Sequence, residues 1–378
     1  MKRLVLAGAG HAHAEVLRAW TDDPIPGVDL VVVSPVPQAP YSGMVPGWLA
    51  GTYRFDDITI DFTALCAAAG ARWIAASVSA LDTERQVLQL DTGERLAYHR
   101  LSLNIGSTVT PPARLGQARI LPLRPLSALR RHYEQLLDAW LADTGTRPLR
   151  VTAVGGGAAG FESLLAVLRR LRQLRPDRSV EGSLLTRSDT LLPGHPARAQ
   201  RAAALALRNA GVALTLGMHT DDPTPAASDV VLWATGAEAH PWLTQPSSRG
   251  ALAVSPQGFV QIDPTLRSIS HPHIYAVGDC AQWQPPLPKA GVYAVRMGPV
   301  LAHNLGADLL GQPLARYTAQ TDFLTLLSTA DGRAIASRGG FSASGRWAWW
   351  LKHRIDQRFI RRYAMDQAPQ PSLKGETP

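Results

Sequence analysis

Two glycine-rich turns, Gly8-Ala9-Gly10-His11-Ala12-His13 and Gly155-Gly156-Gly157-Ala158-Ala159-Gly160, carry the spacing that brings a pyrophosphate onto bare backbone. The first glycine of each permits a tight turn, and the second lets phosphates approach. The helix that follows points its positive N-terminal amides at them. A third signature, Ile274-Tyr275-Ala276-Val277-Gly278-Asp279, comes late in the chain and ends in a carboxylate. Together these specify two nucleotide sites in one polypeptide, an arrangement suited to hydride chemistry.

Both turns depart from the ideal. His13 stands where the third small residue of the first turn belongs, which predicts a looser helix–strand contact. Ser34 ends the next strand, where a carboxylate would grip both ribose hydroxyls; a hydroxyl makes one such bond with less charge assistance. The second turn is complete, with Gly155, Gly157 and Gly160, and Glu162 follows it. Its ribose acid is also missing, since Thr186-Arg187-Ser188 occupies that place. Arg187 suits a 2′-phosphate, so NADH and NADPH are both open, and a purely structural second unit is the competing reading. His11 and His13 lie two apart at a helix start and face different directions, which argues against a metal site.

The elements that must position these residues read as α/β. Lys2–Ala7 is a buried parallel strand, Ala12–Ala19 its helix and Val28–Val33 the next strand, one βαβ unit. Val87–Leu90 and the turn Asp91-Thr92-Gly93-Glu94 predict an antiparallel hairpin, and Leu101–Gly106 another strand. Leu129, Tyr133, Leu136, Leu137 and Trp140 predict a helix over Ser127–Leu141. A second unit follows: strand Leu149–Val154, its turn, a helix near Phe161–Leu174, and strand Val230–Ala234 running into Gly236. Phe259–Asp263 reads as a strand ahead of Gly278-Asp279.

Composition narrows the class. The chain of 378 residues is 46% hydrophobic and 18% charged, an ordinary globular balance. Cys66 and Cys280 stand alone, so a disulfide framework and a thiolate zinc site are excluded, and the same count argues against a redox dithiol. The net charge of +8 is almost wholly arginine, and outside the C-terminal segment no interleaved basic and aromatic stripe occurs, which argues against nucleic acid. Met1-Lys2-Arg3 ahead of Leu4–Ala7 superficially resembles a secretory signal, but the glycines place a strand there.

With its Gly278-Asp279 motif the chain resembles the pyridine nucleotide-disulfide oxidoreductase superfamily. That resemblance implies FAD at the first turn, with Asp279 on its ribityl chain and Gly278 allowing close approach. Tyr41–Gly47, Leu101–Ser107 and Lys289–Arg296 resemble a narrower group. Its members are related to type II NADH:quinone oxidoreductases and occur fused to selenide, water dikinase. The resemblance spans nearly the whole chain. It implies two Rossmann-like domains in a glutathione-reductase-like FAD/NAD(P) fold, the second inserted in the first. An FAD-binding domain is expected over 1–115 and 242–325, an NAD(P)-binding domain over 116–241, and a C-terminal helical segment over 326–366. Gly8, Gly10, His11, Ala12 and Ser34 would contact FAD. Met44 and Pro46 would lie near its ring, Val78 at its adenine, and Asn104, Ile105, Gly106 and Ser107 along its pyrophosphate. Lys289, Gly291 and Val292 would meet the pyrimidine edge, where a cation stabilises reduced flavin. Gly155, Gly157, Gly160, Arg187 and Gly236 would hold NADH or NADPH, with Glu162 beside the nicotinamide.

In the last segment Trp347, Leu351, Ile355, Phe359 and Tyr363 recur at intervals of four among arginines. That pattern predicts an interfacial helix at an anionic membrane surface; packing on the flavin domain is the alternative. Residues 367–378 read as a polar disordered tail. The expected activity is FAD-dependent NAD(P)H dehydrogenation with a quinone or another small-molecule acceptor. The expected place is cytoplasmic, peripheral on the inner face of the cytoplasmic membrane. The alternatives are a flavoprotein of selenium metabolism with a different donor or acceptor, and a flavin-bound module supporting a selenide, water dikinase.

Overall fold

The structure is a computed structural model, and it describes residues 1–113, 115–218, 227–244, 251–320 and 322–364. The first turn is reached from strand β1 (Lys2–Ala7), whose last four residues are buried, and opens helix α1 (His11–Asp22). β2 (Val28–Val33) pairs parallel with β1. A small antiparallel pair, β3 (Gln38–Pro40) and β4 (Thr59–Asp61), encloses the short helix α2 (Val45–Leu49). Helix α3 (Phe62–Ala68) is capped by Asp61, which accepts the Thr63 and Ala64 amides, and leads into β5 (Arg72–Ile74). The expected hairpin is present as β7 (Val87–Leu90) and β8 (Arg95–Ala97), joined by β6 (Val78–Asp82) into a three-stranded sheet. β9 (Arg100–Leu103) then pairs with β1.

A second parallel sheet follows in the chain. β10 (Arg119–Pro122) leads to helix α4 (Leu126–Ala142), which buries Leu129, Tyr133, Leu136 and Trp140 at the expected helical spacing. β11 (Leu149–Val154), helix α5 (Ala158–Leu174), β12 (Val180–Leu185), helix α6 (Ala197–Asn209), β13 (Val212–Thr215) and β14 (Val230–Trp233) complete it in the order β10-β14-β11-β12-β13. The chain then returns to the first unit. β15 (Val260–Gln261) pairs with β17 (Ala281–Gln282), and β16 (Ile274–Ala276) pairs with β9, giving the first sheet the order β16-β9-β1-β2-β5. Helix α7 (Gly291–Leu310) packs along α1. Both glycine turns therefore sit at the carboxyl ends of parallel strands, where open α/β sheets bind ligands.

The structure differs from the sequence expectations in four places. The Phe259–Asp263 strand shrinks to two residues, because the Asp263 carboxylate takes the Thr265 and Arg267 amides and turns the chain. His13 tightens the first turn and does not loosen it. It is fully buried, its Nδ1 lies 2.6 Å from the Gly8 carbonyl oxygen, and its Nε2 lies 2.8 Å from Ser102 Oγ.

The last segment is not helical alone. β18 (Thr325–Ser328), β19 (Ala334–Arg338) and β20 (Phe341–Gly345) form an antiparallel meander before helix α8 (Arg346–Arg361). Asp331-Gly332 and Gly339-Gly340 at its two turns are hairpin signals that could have announced it. The aromatic stripe of α8 is split: Trp347 and Ile355 are exposed, Phe359 is half-buried and Tyr363 is buried. An interval of four overshoots the helical repeat by about 40° per step, so the ends of that series face different ways. The tail at 367–378 lies outside the described residues.

Candidate functional site

The first turn is built around Asn104, at the end of β9. Its Oδ1 accepts the Ala12 and His13 amides at 3.1 and 3.4 Å, and its Nδ2 donates to the Val277 carbonyl at 3.1 Å. A Cβ on Gly10 would overlap that carboxamide, and one on Gly278 would lie 2.8 Å from Nδ2. Glycine at position 10 thus answers first to Asn104, which ties the turn to the Gly278-Asp279 signature. Ile105 offers its carbonyl to His240 Nε2 at 3.1 Å, while Gly106 (φ 71°) has open space on its Cβ side. Ser34 is buried and turns its hydroxyl to the Val36 carbonyl at 3.2 Å.

Asp279 does not stand alone. Its Oδ2 accepts from Ser107 Oγ at 3.1 Å and ion-pairs with Arg124, which also donates to Ser107. Arg124 comes from the connection between β10 and α4, and the sequence reading missed it. Lys289 donates to the Ala281 carbonyl at 2.6 Å and sits 3.7 Å above the Phe259 ring. Burial holds its pKa below the ordinary lysine value. Helix α7 starts at Gly291 and Val292 with no side-chain cap, and Ser42 faces it, its Oγ 2.7 Å from where a Gly291 Cβ would lie.

His11, the first residue of α1, packs edge-on against Tyr41 and Phe359 at 5.5 and 5.7 Å, and those two rings stack at 4.2 Å. Burial pushes the His11 imidazole down to about 4, and its Nε2 has no hydrogen-bond partner. A neutral, unpartnered ring nitrogen beside an open helix N-terminus and a carboxylate cluster fits a nucleotide cofactor with oxygen and nitrogen groups to offer. Val78 packs at the edge of this core. Met44, just ahead of α2, and Pro46 in its first turn are buried, and Met44 packs within the core of the second unit.

Glu162 lies half-buried on α5, facing Ser328 of β18 and the charged pair of α8. Its Oε1 accepts the Ser328 amide at 2.6 Å, and burial raises its carboxyl to about 7. Lys352 and Asp356 of α8 stand close enough to act on that value, Lys352 lowering it and Asp356 raising it. Lys352 Nζ donates to Asp356 at 2.8 Å and also to the Gly43 carbonyl. This pair was legible only as an i, i+4 ion pair, with nothing in its spacing to connect it to Glu162.

In the second turn Gly155 (φ 125°) and Gly160 leave no room for a Cβ, whereas the Cβ sides of Gly157 and Gly236 are open. That division of roles fits a pyrophosphate approaching at Gly157. Helix α5 begins there without a side-chain cap. Arg187 is exposed just past β12. The cleft lined by Arg119, Leu121, His132 and Asp138 opens at the other end of β10, away from both turns.

Cys66 and Cys280 are both buried and free, and burial pushes their thiols up to about 12 and about 11. Burial thus favours the protonated thiol at both positions, which argues against a nucleophilic role. Among the described residues no cluster of histidine, cysteine or acidic side chains could hold a metal, and no helix is long and apolar enough to cross a membrane.

Comparison with known proteins agrees with this geometry. The NADH dehydrogenase-like protein of Mycobacterium tuberculosis is 26% identical over 298 residues, covering 72% of this chain and 71% of that protein. The fold matches the sulfide:quinone oxidoreductase of Aquifex aeolicus with a TM-score of 0.76 at 14% identity, over 96% of this chain and 91% of that one. It matches Plasmodium falciparum NDH2, solved in complex with NADH, with a TM-score of 0.75 at 12% identity, over 96% and 97% of the chains. The sequence pattern of the pyridine nucleotide-disulphide oxidoreductases matches residues 2–304. The chain belongs to that family and is an FAD-dependent oxidoreductase of the NAD(P)H dehydrogenase kind.

Proposed function

We propose that the chain passes electrons from NAD(P)H through FAD to a quinone-like acceptor at the inner face of the cytoplasmic membrane. The bound cofactors supply the redox chemistry: a hydride leaves the nicotinamide, and its two electrons go on to the acceptor. The first turn, Asn104 and Asp279 hold the FAD, and the open backbone at Gly157 receives the nicotinamide nucleotide. Reduction of a quinone to a quinol takes up two electrons and two protons: the donor hydride accounts for both electrons and one proton, and the second proton is taken from solvent. Glu162, with its carboxyl raised to about 7, can hold or give up a proton at neutral pH beside Lys352 and Asp356.

One observation carries the choice of acceptor. Helix α8 exposes Trp347, Trp350 and Ile355 among Arg346, Arg354 and Arg358, while its other face brings Lys352 to Gly43 and Phe359 to His11. A lipid-suited surface and a flavin-site contact thus lie on one helix, which favours a lipid-soluble acceptor. The test is steady-state oxidation of NADH and NADPH by the FAD-loaded protein with a short-chain quinone. Stoichiometric quinol formation supports the reading; nucleotide oxidation without quinol formation rejects the acceptor.

A second reading is electron supply to a selenide, water dikinase. It is favoured by the meeting of three stretches that resemble the fused group: Ser42 faces Gly291, and Asn104 and Ala294 both face Gly278. Its test is whether such a kinase accelerates reoxidation of the reduced flavin, and no acceleration rejects it.

A further inference from the structure

We infer that the nucleotide site prefers NADPH to NADH, with Arg187 as the specificity-determining residue that takes the 2′-phosphate. This rests on the reading of the second turn as a working nicotinamide site, and it names the substrate of that site.

The loop after β12 is pinned to the phosphate-binding turn at both ends. The Thr186 side chain is packed where a Cβ on Gly156 would lie 2.8 Å from it, and the Leu192 amide donates to the Gly156 carbonyl at 2.8 Å. The Thr186 backbone is held in addition by pairing with Thr215 and Met218. Arg187 is therefore presented from a loop of fixed position beside the turn, where the adenosine ribose lies once a pyrophosphate rests at Gly157.

The chemistry of the loop excludes the usual NADH arrangement. A ribose with free hydroxyls is gripped by a carboxylate at the end of this strand. Here that position is Thr186, whose Oγ1 is occupied by the Ser188 amide at 3.2 Å. Asp189, the nearest acid in the sequence, is exposed and lies against the Gly217 turn. Arg187 is exposed and has no ion pair among the described residues. A guanidinium with no ion pair among the described residues, presented beside the ribose position, is a ready bidentate donor to a phosphate and has no acceptor to offer a hydroxyl. Ser188, half-buried next to it, adds a neutral donor that a phosphate dianion tolerates.

The experiment uses the FAD-loaded full chain. It measures kcat/KM for NADPH and NADH and, independently, the binding of 2′,5′-ADP and 5′-ADP by calorimetry. The inference predicts tighter binding of 2′,5′-ADP and a higher kcat/KM for NADPH. Because a charge-assisted bond contributes about 1.5–3 kcal/mol, Arg187→Ala should lower the NADPH-to-NADH ratio of kcat/KM by about tenfold to a hundredfold. Thr186→Asp should turn the preference toward NADH, and flavin content checks that both variants are folded. Equal use of the two nucleotides by the wild type, or an unchanged ratio in Arg187→Ala, overturns the inference. If neither nucleotide reduces the flavin, the redox reading fails, and the two ADP affinities still decide the specificity.

Discussion

Arg124 ion-pairs with Asp279 across 155 residues of sequence, joining the connection ahead of α4 to the carboxylate at the end of the Gly278-Asp279 signature. Ser107 bridges the pair. The cluster fixes the carboxylate near the first glycine turn and gives the group proposed to meet the ribityl chain a positive neighbour. A charge-assisted bond of this kind contributes about 1.5–3 kcal/mol. Asp279→Ala and Arg124→Met should therefore each weaken FAD binding by about tenfold or more. The flavin-to-protein absorbance ratio after gel filtration measures this. Full flavin retention in Asp279→Ala would contradict the assignment of that carboxylate to FAD.

Glu162 gives the protein a pH signature. Its carboxyl is raised from 4.5 to about 7 by burial, so the folded state keeps a proton that the unfolded state has lost. Its contribution to stability is highest below pH 4.5 and falls as pH rises toward 7, after which the penalty stays constant. Glu162→Gln should flatten that part of the stability–pH curve and leave the variant at least as stable at pH 8 as the wild type, as read by thermal melts across pH. An unchanged slope would show that Glu162 does not titrate there. In quinone reduction, the same substitution should remove any rate change centred near pH 7.

The exposed face of α8 makes a separable prediction. Trp347 and Trp350 are 50% and 55% exposed, so replacing both by serine costs the fold little. Trp347→Ser/Trp350→Ser should abolish flotation with vesicles containing anionic lipid while keeping full FAD content and NAD(P)H oxidation. Equal flotation of variant and wild type would reject membrane contact by this face.

The two cysteines should be dispensable. With thiols pushed to about 12 and about 11, neither is ionised at neutral pH. The double variant Cys66→Ala/Cys280→Ala should keep flavin reduction and acceptor turnover within about twofold, at a stability cost of roughly 1–2 kcal/mol from lost packing. Loss of acceptor turnover with flavin reduction intact would reveal thiol chemistry after all.

The parts of the site that are local in sequence were readable there. The glycine turns, their strands and the Gly278-Asp279 carboxylate carry their own backbone signals. Contacts between distant residues carry none. Asn104 meets Gly10 and Val277 only because β9 lies between β1 and β16. Lys352 reaches Gly43 across 309 residues. His13 looked like a defect because its spacing gave no hint of Ser102, its partner on the neighbouring strand. The α8 stripe failed for a different reason: an interval of four was read as one face, and helical drift spread it over two.

The central claim is that one chain holds FAD at the first turn and receives a nicotinamide nucleotide at the second. Anaerobic addition of NADPH or NADH to the purified FAD-loaded protein, followed through the visible flavin absorption band, tests it most directly. Rapid bleaching, complete with about one equivalent of nucleotide, is the predicted result. A flavin that stays oxidised with both nucleotides, yet is bleached by dithionite, would contradict it.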